Sequence, residues 1–457
     1  MNDFVSVFVC FFIFIVFWML FELVRRATGK DNVYDYNRDI KRISKEDKIP
    51  KIKDEEKVLL GMNGKKEICL PTKISHAFVC GTTGSGKTVV LSNFIKSAME
   101  YNYPLLIVDG KGDISDNSLL DIVHKLNTDR KIYVVNMNDP QNSDKYNPFK
   151  NTSSTVIKDM LINLTTWSEE HYKLNMERYL QRVIDLLFKA EIELSFETIV
   201  KYMMVEEFQT INSQLFKDKI ISKEEQMLNN KLAEQSEKIV EGAIARFSTI
   251  IESELGTIFD GEGIDIYTAI KENAVILFVL NPLLYPELSP LIGNLVIIDS
   301  KKAVSKMFRD NIKRSFFIFD EINVYASKSL LDLVNKSRSA NVTCILSAQS
   351  LSDLETAESE SFKEQVIENC NNYIILRQNN AKNAEEWANT VGTKPTVGMT
   401  YQVKNEHNSI SDTGGSARPI RDYIVHPDNI KNFTLGKGFI VSKDKNFKKS
   451  IDINKPF

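Results

Sequence analysis

His76–Ile95 reads HAFVCGTTGSGKTVVLSNFI, and the architecture of the rest of the chain can be worked out from it. The apolar run Ala77–Cys80 has the composition of a buried strand. It enters Gly81-Thr82-Thr83-Gly84-Ser85-Gly86-Lys87-Thr88, which fits the pattern G-x-x-x-x-G-K-[ST] without a mismatch. Each part of such a loop has a physical task. Glycines let the backbone turn tightly and bring its N–H groups up to phosphate oxygens. A helix beginning near Lys87 adds the positive end of its dipole. Lys87 is expected to reach the β- and γ-phosphates of ATP, and the Thr88 hydroxyl to ligate Mg²⁺.

A phosphate cradle of this kind needs an acidic partner. In RSFFIFDEINVYA, Phe316–Phe319 reads as a fully buried strand, and Asp320-Glu321 follows at its end. Asp320 is expected to hold Mg²⁺, and Glu321 to orient and deprotonate the attacking water. A third strand, in NVTCILSAQSLSDL, ends at Gln349. From a strand between the phosphate loop and the Asp-Glu strand, Gln349 would sense the γ-phosphate; the bland alternative is a turn cap.

The chain has 457 residues, 43% hydrophobic and 26% charged, enough for a large core and an accessory domain. A net charge of −3 provides no global basic field for a polyanion, so nucleic acid must be met by local patches. The segment Ser300–Arg314, with six basic residues, could be such a patch or a solvated helix face, and Lys111 could face nucleotide or a lumen. None of the five cysteines has C-x-x-C spacing; they read as reduced, buried thiols. Phe4–Phe21 is apolar except for Ser6. A helix of that length rises about 27 Å, close to the hydrocarbon thickness of a bilayer. Arg25 and Arg26 follow it and no basic residue precedes it, which places the bulk of the chain in the cytoplasm with a single span in the cell membrane.

Strand-like runs recur at 77–80, 105–109, 132–136, 275–280, 316–319, 343–347 and 373–376, mostly separated by helical patterns. That rhythm predicts an α/β fold with a mainly parallel sheet. Between 152 and 239 the strands give way to helical spacing, as in NMERYLQRVIDLLFKA, which predicts an all-helical insertion. The expected layout is a transmembrane helix at 1–24, a juxtamembrane linker at 25–60, a core in two parts at 61–151 and 240–457, and the insertion at 152–239. KNEHNSISDTGGSARP reads as the clearest long loop.

The order of these motifs resembles the type IV secretion coupling proteins of conjugation, the TraG/TraD type within the FtsK–HerA class of P-loop translocases. LLIVDGKGD resembles the family's Asp-Pro-Lys-Gly signature, with Gly110 in place of proline. KYNPF resembles its Asn-Pro element, KSRSANVTCILSAQSLSDL its arginine, strand and Gln-Ser block, and SARPIRDYIVHPDNIKNFTLGKGFIVSKD its closing element. The resemblance covers about residues 61–450. It implies a RecA-like motor, active as a homo-hexamer, that uses ATP to pass single-stranded DNA with its relaxase to a type IV secretion channel. The implied site residues are Lys87, Thr88, Asp320, Glu321 and Gln349, with an arginine finger from a neighbouring subunit. Arg377 is the first choice for the finger, with Arg338 and Arg246 behind it. Many family members have two membrane helices where this sequence shows one span, and some carry an acidic tail not seen here; cargo selection is then expected to fall to the helical insertion or an adaptor. The competing readings are a pump for duplex DNA of the FtsK/HerA type, a coupling ATPase for protein cargo, and a docking receptor that binds ATP without hydrolysing it. Glu321 argues against the last.

Overall fold

The computed structural model describes residues 15–21, 23, 49–50, 52, 56–126, 129–164, 167, 169–259, 261–310, 312–406 and 409–457. The chain divides into two compact units, one of residues 49–390 with 425–457 and the other of residues 1–48 with 391–424.

The larger unit is built on one eleven-stranded sheet. Its strands are β1 (Lys57–Asn63), β2 (Lys66–Pro71), β3 (Ala77–Cys80), β4 (Leu105–Asp109), β5 (Ile132–Asn136), β6 (Val275–Val279), β7 (Ser315–Asp320), β8 (Val342–Ala348) and β9 (Asn372–Ile375), and, after the ribbon strands β10 (Thr393–Glu406) and β11 (Ser409–Tyr423) of the smaller unit, β12 (Lys437–Ser442) and β13 (Phe447–Ile453). They lie in the order β2-β1-β13-β12-β9-β3-β8-β7-β4-β6-β5. From β9 to β5 every neighbouring pair is parallel, and from β9 to β2 every pair is antiparallel. The seven parallel strands are the seven expected from composition. They are legible because parallel strands covered by helices on both faces must be apolar throughout. Phe78, Ile107, Phe316, Phe317, Ile345 and Ile374 are all fully buried.

The antiparallel extension was harder to read. β1 begins at Lys57, inside the stretch expected to be linker, and buries Val58 and Leu60. The helix after β3, Lys87–Glu100, buries Val90, Leu91, Phe94, Ile95 and Ala98, a stripe with i, i+4 and i+8 repeats.

Between β5 and β6 the chain forms helices at Ser154–Asn163, Glu170–Lys189, Phe196–Met203, Val205–Lys217 and Lys223–Ile251. The last of these continues well beyond residue 239. Helix 170–189 buries Met176, Tyr179, Leu180, Val183, Ile184 and Leu187 on one face. Side-chain oxygens of Ser195 and Ser222 accept the backbone N–H groups of Thr198 and Glu225 and start two of these helices. KYNPF is the point of departure from the sheet. The Tyr146 ring packs edge-on against Phe278 at 4.9 Å, and the Asn147 amide donates to the carbonyls of Leu194 and Gly261 at 2.7 and 2.9 Å.

In the smaller unit, β10 and β11 pair antiparallel from Thr393↔Tyr423 to Glu406↔Ser409. This corrects the expected loop at 404–419, most of which is ribbon. Strands that pair only with each other among the described residues impose no period-two apolar pattern, so the sequence carries no strand signal there. Residues 15–21 and 23 are helical and expose Phe17, Trp18, Met19, Leu20, Phe21 and Leu23. Among the described residues no helix is long and apolar enough to cross a membrane; residues 1–14, 22 and 24 of the span expected at 1–24 lie outside the described residues.

Candidate nucleotide site

The phosphate loop, Asp320, Glu321 and Gln349 all lie at the C-terminal ends of the parallel strands. β8 lies between β3 and β7, so Gln349 leaves the sheet between the loop and the acidic pair. Gly84 and Gly86 adopt φ values of 72° and 108°, and Gly86 caps the helix that Lys87 begins. A side chain at either position would be strained, so the loop curls only because they are glycines. Its base is tied to both neighbouring strands. Gly81 N–H donates to the Ala348 carbonyl at 3.2 Å, and Thr82 N–H to the Arg377 carbonyl at 2.9 Å.

Four side chains form a chain of contacts across the site. Lys87 Nζ donates to the Gly81 carbonyl at 2.9 Å and lies 3.3 Å from Glu321 Oε1, both side chains being 8% exposed. Gln349 Nε2 donates to the same Glu321 oxygen at 3.3 Å, while Gln349 Oε1 accepts the Thr83 hydroxyl at 3.2 Å. Burial pushes the Glu321 carboxyl above its ordinary range while the Lys87 ammonium pulls it down. A raised carboxyl is a better proton acceptor than an exposed one. Glu321 sits at φ 50°, a left-handed conformation unusual for glutamate, which tilts the residue out of the strand line at its C-terminal end.

Asp320 is buried and its carboxyl is raised by burial; its Oδ1 accepts the Glu321 N–H at 3.0 Å. Its neighbour across the sheet is Asp109, in register on β4. Asp109 is pushed up to about 7 by burial, with the Asp320 charge adding to the effect. Its Oδ1 accepts the N–H groups of Lys111 and Gly112 at 2.9 and 3.3 Å. Asp109 was not among the expected site residues. Its signal was available, because LLIVD ends in an acid on a buried strand in the same way as FFIFD. Gly112 then passes so close to β6 that a Cβ would sit 2.0 Å from the Leu280 carbonyl oxygen.

These groups surround a cavity of about 470 Å³. Thr82, Thr83, Gly84, Gly86, Lys87 and Thr88 line it with Asp320, Glu321, Gln349 and Lys111, as do Leu283 and Leu435. Ser85 is buried and Gly81 forms the loop base, so neither lines it. Two buried oxygens on this wall, Thr82 Oγ1 and Glu321 Oε2, have no hydrogen-bond partner. Unpaired buried oxygens, a glycine-bent loop and a buried lysine fit a polyphosphate with its hydrated cation, because phosphate oxygens would accept from the Thr82 hydroxyl and the Lys87 ammonium and water carried with the cation would donate to Glu321. Thr88 and Asp320 both line this cavity, and they are the residues that could hold Mg²⁺ there.

The other expected residues are elsewhere. Arg377 does not line the cavity; its carbonyl anchors Thr82 and its Nε is buried without a partner. Arg338 is exposed at the end of helix Lys328–Ser337, and Arg246 lies over the Trp167 ring at 5.9 Å. Lys111, by contrast, does line the cavity, and its Nζ pairs with Asp113 at 2.6 Å. The basic run 300–314 is largely engaged within the fold, since Lys301 pairs with Asp332, Lys302 with Asp299, and Lys306 donates to the Asn151 carbonyl. Cys69, Cys80, Cys344 and Cys370 are buried free thiols.

Fold and site together define a nucleotide-binding α/β protein of the P-loop class. Residues 67–451 match the family model of the type IV secretion-system coupling protein DNA-binding domain, and the chain belongs to that family. Its fold is that of the bacterial conjugative coupling protein TrwB lacking its first 70 residues, with a TM-score of 0.62 at 15% identity, covering 92% of each chain. A second TrwB structure, in complex with ADP and Mg²⁺, superposes with a TM-score of 0.60 at 16% identity, covering 84% of this chain and 87% of that one. An uncharacterized protein of Mycoplasma pneumoniae is 30% identical over 135 residues, 29% of this chain and 90% of its own length.

Proposed function

We propose that the protein is an ATP-hydrolysing motor that moves single-stranded DNA, with an attached relaxase, to a type IV secretion channel. The observation that carries hydrolysis in this reading is the linked set Thr83, Gln349, Glu321 and Lys87 on one wall of the cavity, and the family match supports DNA and a secretion system as partners. A protein that only held nucleotide would not need a buried carboxylate with an unpaired oxygen beside the phosphate-binding lysine.

In this reading the loop N–H groups and Lys87 bind the phosphates of ATP, and Thr88 and Asp320 hold Mg²⁺. The cation supplies charge neutralisation at the phosphates. Glu321 takes the proton of the attacking water, and Gln349, joined to both loop and base, reports whether a γ-phosphate is present. The active form is a homo-hexamer in which a neighbour's arginine, Arg377 by preference, completes the site. The exposed aromatic helix at 15–21 supports the further proposal that residues 1–24 anchor the chain in the cell membrane, leaving its bulk in the cytoplasm.

Nucleotide affinity and turnover of the full chain test the motor reading, with and without single-stranded DNA. Lys87→Ala is expected to weaken binding and abolish turnover, and single-stranded DNA to stimulate the wild type. Stimulation by duplex alone would favour a duplex pump, and turnover that survives Lys87→Ala would end the motor reading. Mixing Arg377→Ala with Lys87→Ala subunits is expected to restore some activity; no recovery in co-assembled rings would remove Arg377 from the site.

A further inference from the structure

Behind the site, where β3, β8 and β9 end side by side, lies a glutamine to which no role has been given. Gln378 is fully buried. Its Nε2 donates to the Gln349 carbonyl at 3.3 Å and to Cys80 Sγ at 3.6 Å. Its backbone N–H donates to the Ile430 carbonyl at 3.3 Å. Cys80 is the last residue before the phosphate loop, and Gln349 is the residue that joins Thr83 to Glu321. One buried amide therefore touches both the strand that enters the phosphate loop and the residue that joins that loop to Glu321.

The other end of that amide gives nothing back. Gln378 Oε1 is buried without a hydrogen-bond partner. A methionine or leucine would fill the space and remove the orphaned oxygen, but it would leave the Gln349 carbonyl with only the weak Cys80 thiol donor at 3.8 Å, so what the glutamine adds is its donor end. Reversing the amide would set two oxygens against each other at Gln349, so the donor end has one workable orientation.

We infer that Gln378 is a positioning residue for hydrolysis: it fixes the Gln349 carbonyl, and thereby the direction in which the Gln349 side chain leaves β8 between Thr83 and Glu321. The inference rests on the motor reading above. It gives the phosphate sensor a support that contacts neither substrate nor cation. Without the amide, the end of β8 can rotate, the Gln349 side chain leaves its place, and Glu321 loses one of the two groups that hold it.

The test uses the full chain and three variants, Gln378→Met, Gln349→Ala and the double variant. Gln378→Met is expected to keep nucleotide affinity within about threefold and to lower turnover roughly 10- to 100-fold, the cost of a small misplacement near a reacting group. Because Gln378 acts through Gln349, the double variant should turn over no more slowly than Gln349→Ala alone. A merely structural glutamine would lower affinity as well, and its loss would multiply with that of Gln349. Gln378→Asn, one methylene shorter and unable to reach the carbonyl, gives the same reading if the methionine variant fails to fold. Turnover within twofold of wild type in either Gln378 variant overturns the inference, as does a multiplicative loss in the double variant. Lys87→Ala separates the two levels: turnover that persists there removes the motor reading and this inference with it, whereas loss there with unchanged Gln378→Met removes Gln378 alone.

Discussion

Lys87 and Lys302 are both buried, and each faces a buried carboxylate: Lys87 Nζ lies 3.3 Å from Glu321 Oε1, and Lys302 Nζ lies 2.7 Å from Asp299 Oδ1. Their surroundings differ. Lys302 also donates to the carbonyls of Pro148 and Lys150 at 2.6 and 3.2 Å, and Asp299 Oδ2 accepts the Tyr146 hydroxyl and the Ile266 N–H at 3.0 and 3.2 Å. That pair draws four further partners from two other segments of chain, 146–150 and Ile266, and clamps the exit toward the helical region onto helix Leu288–Met307; Asp299 Oδ1 meets the Lys302 ammonium alone. The Lys87 pair has one backbone partner, a longer contact, and an orphaned oxygen opening on a cavity. A buried charge pair that satisfies itself is a staple, and one left short of partners is prepared for a ligand. The same ion-pair chemistry thus separates stability from function within one unit, and each side of the contrast can be attacked by substitution.

The largest effect is expected at Glu321. Glu321→Gln keeps the size and hydrogen-bonding capacity of the side chain and cannot accept a proton. Loss of a general base typically costs 10²- to 10⁴-fold in turnover, about 3–5 kcal/mol of barrier. Nucleotide affinity should change little, so the variant should accumulate in its ATP-bound state. Measuring affinity and turnover separately decides it; near-normal turnover in this variant means that the reacting water is activated elsewhere.

On the staple side, Lys302→Met leaves Asp299 buried without its cation. Breaking one partner of such a pair costs about 3–5 kcal/mol of stability. Denaturant unfolding of Lys302→Met and Lys87→Met should therefore differ, with the larger loss at Lys302, while only Lys87→Met loses nucleotide. Equal destabilisation by the two would erase the distinction drawn between them. Adding Asp299→Leu to Lys302→Met should recover part of the loss, because it removes the stranded charge.

The same contrast explains what the sequence could and could not show. The phosphate loop and the Asp-Glu strand end were legible because they combine a fixed spacing with a fully apolar strand, and both lie where β3 and β7 end. Gln349 was legible as the end of a strand, and the strand order then brought it between the two. Asp299 and Lys302 were hidden. In sequence they belong to a charged helix segment that reads equally well as a basic face, and only packing against Tyr146 and the Pro148 carbonyl shows that they are internal. Gln378 was hidden for a related reason, since a buried glutamine after a strand has no spacing rule. β10 and β11 were missed because their pairing leaves no apolar alternation to detect.

The smallest expected effect lies in the sheet itself, away from both pairs. His76 precedes β3, is 4% exposed, and accepts the Cys344 N–H on Nδ1 at 3.0 Å. Burial lowers it from 6.5 to about 4. Its native form is therefore neutral in a range where the unfolded chain takes up a proton. For a base lowered in the folded state, stability is complete above the unfolded value and is lost as pH falls from 6.5 toward 4. The full effect of such a shift is about 3 kcal/mol. Asp109, raised to about 7, has the opposite sign and costs stability as pH rises toward that value, so the wild-type profile alone mixes the two. The difference between wild type and His76→Asn isolates the histidine, because asparagine keeps an acceptor for Cys344 and does not titrate. The stability gap between the two should be widest in favour of wild type near neutral pH and narrow steadily toward pH 4. A gap that stays constant through that window would mean that His76 is reached by water and charges in the folded protein, and the contact with Cys344 would then hold β8 less firmly than its geometry indicates.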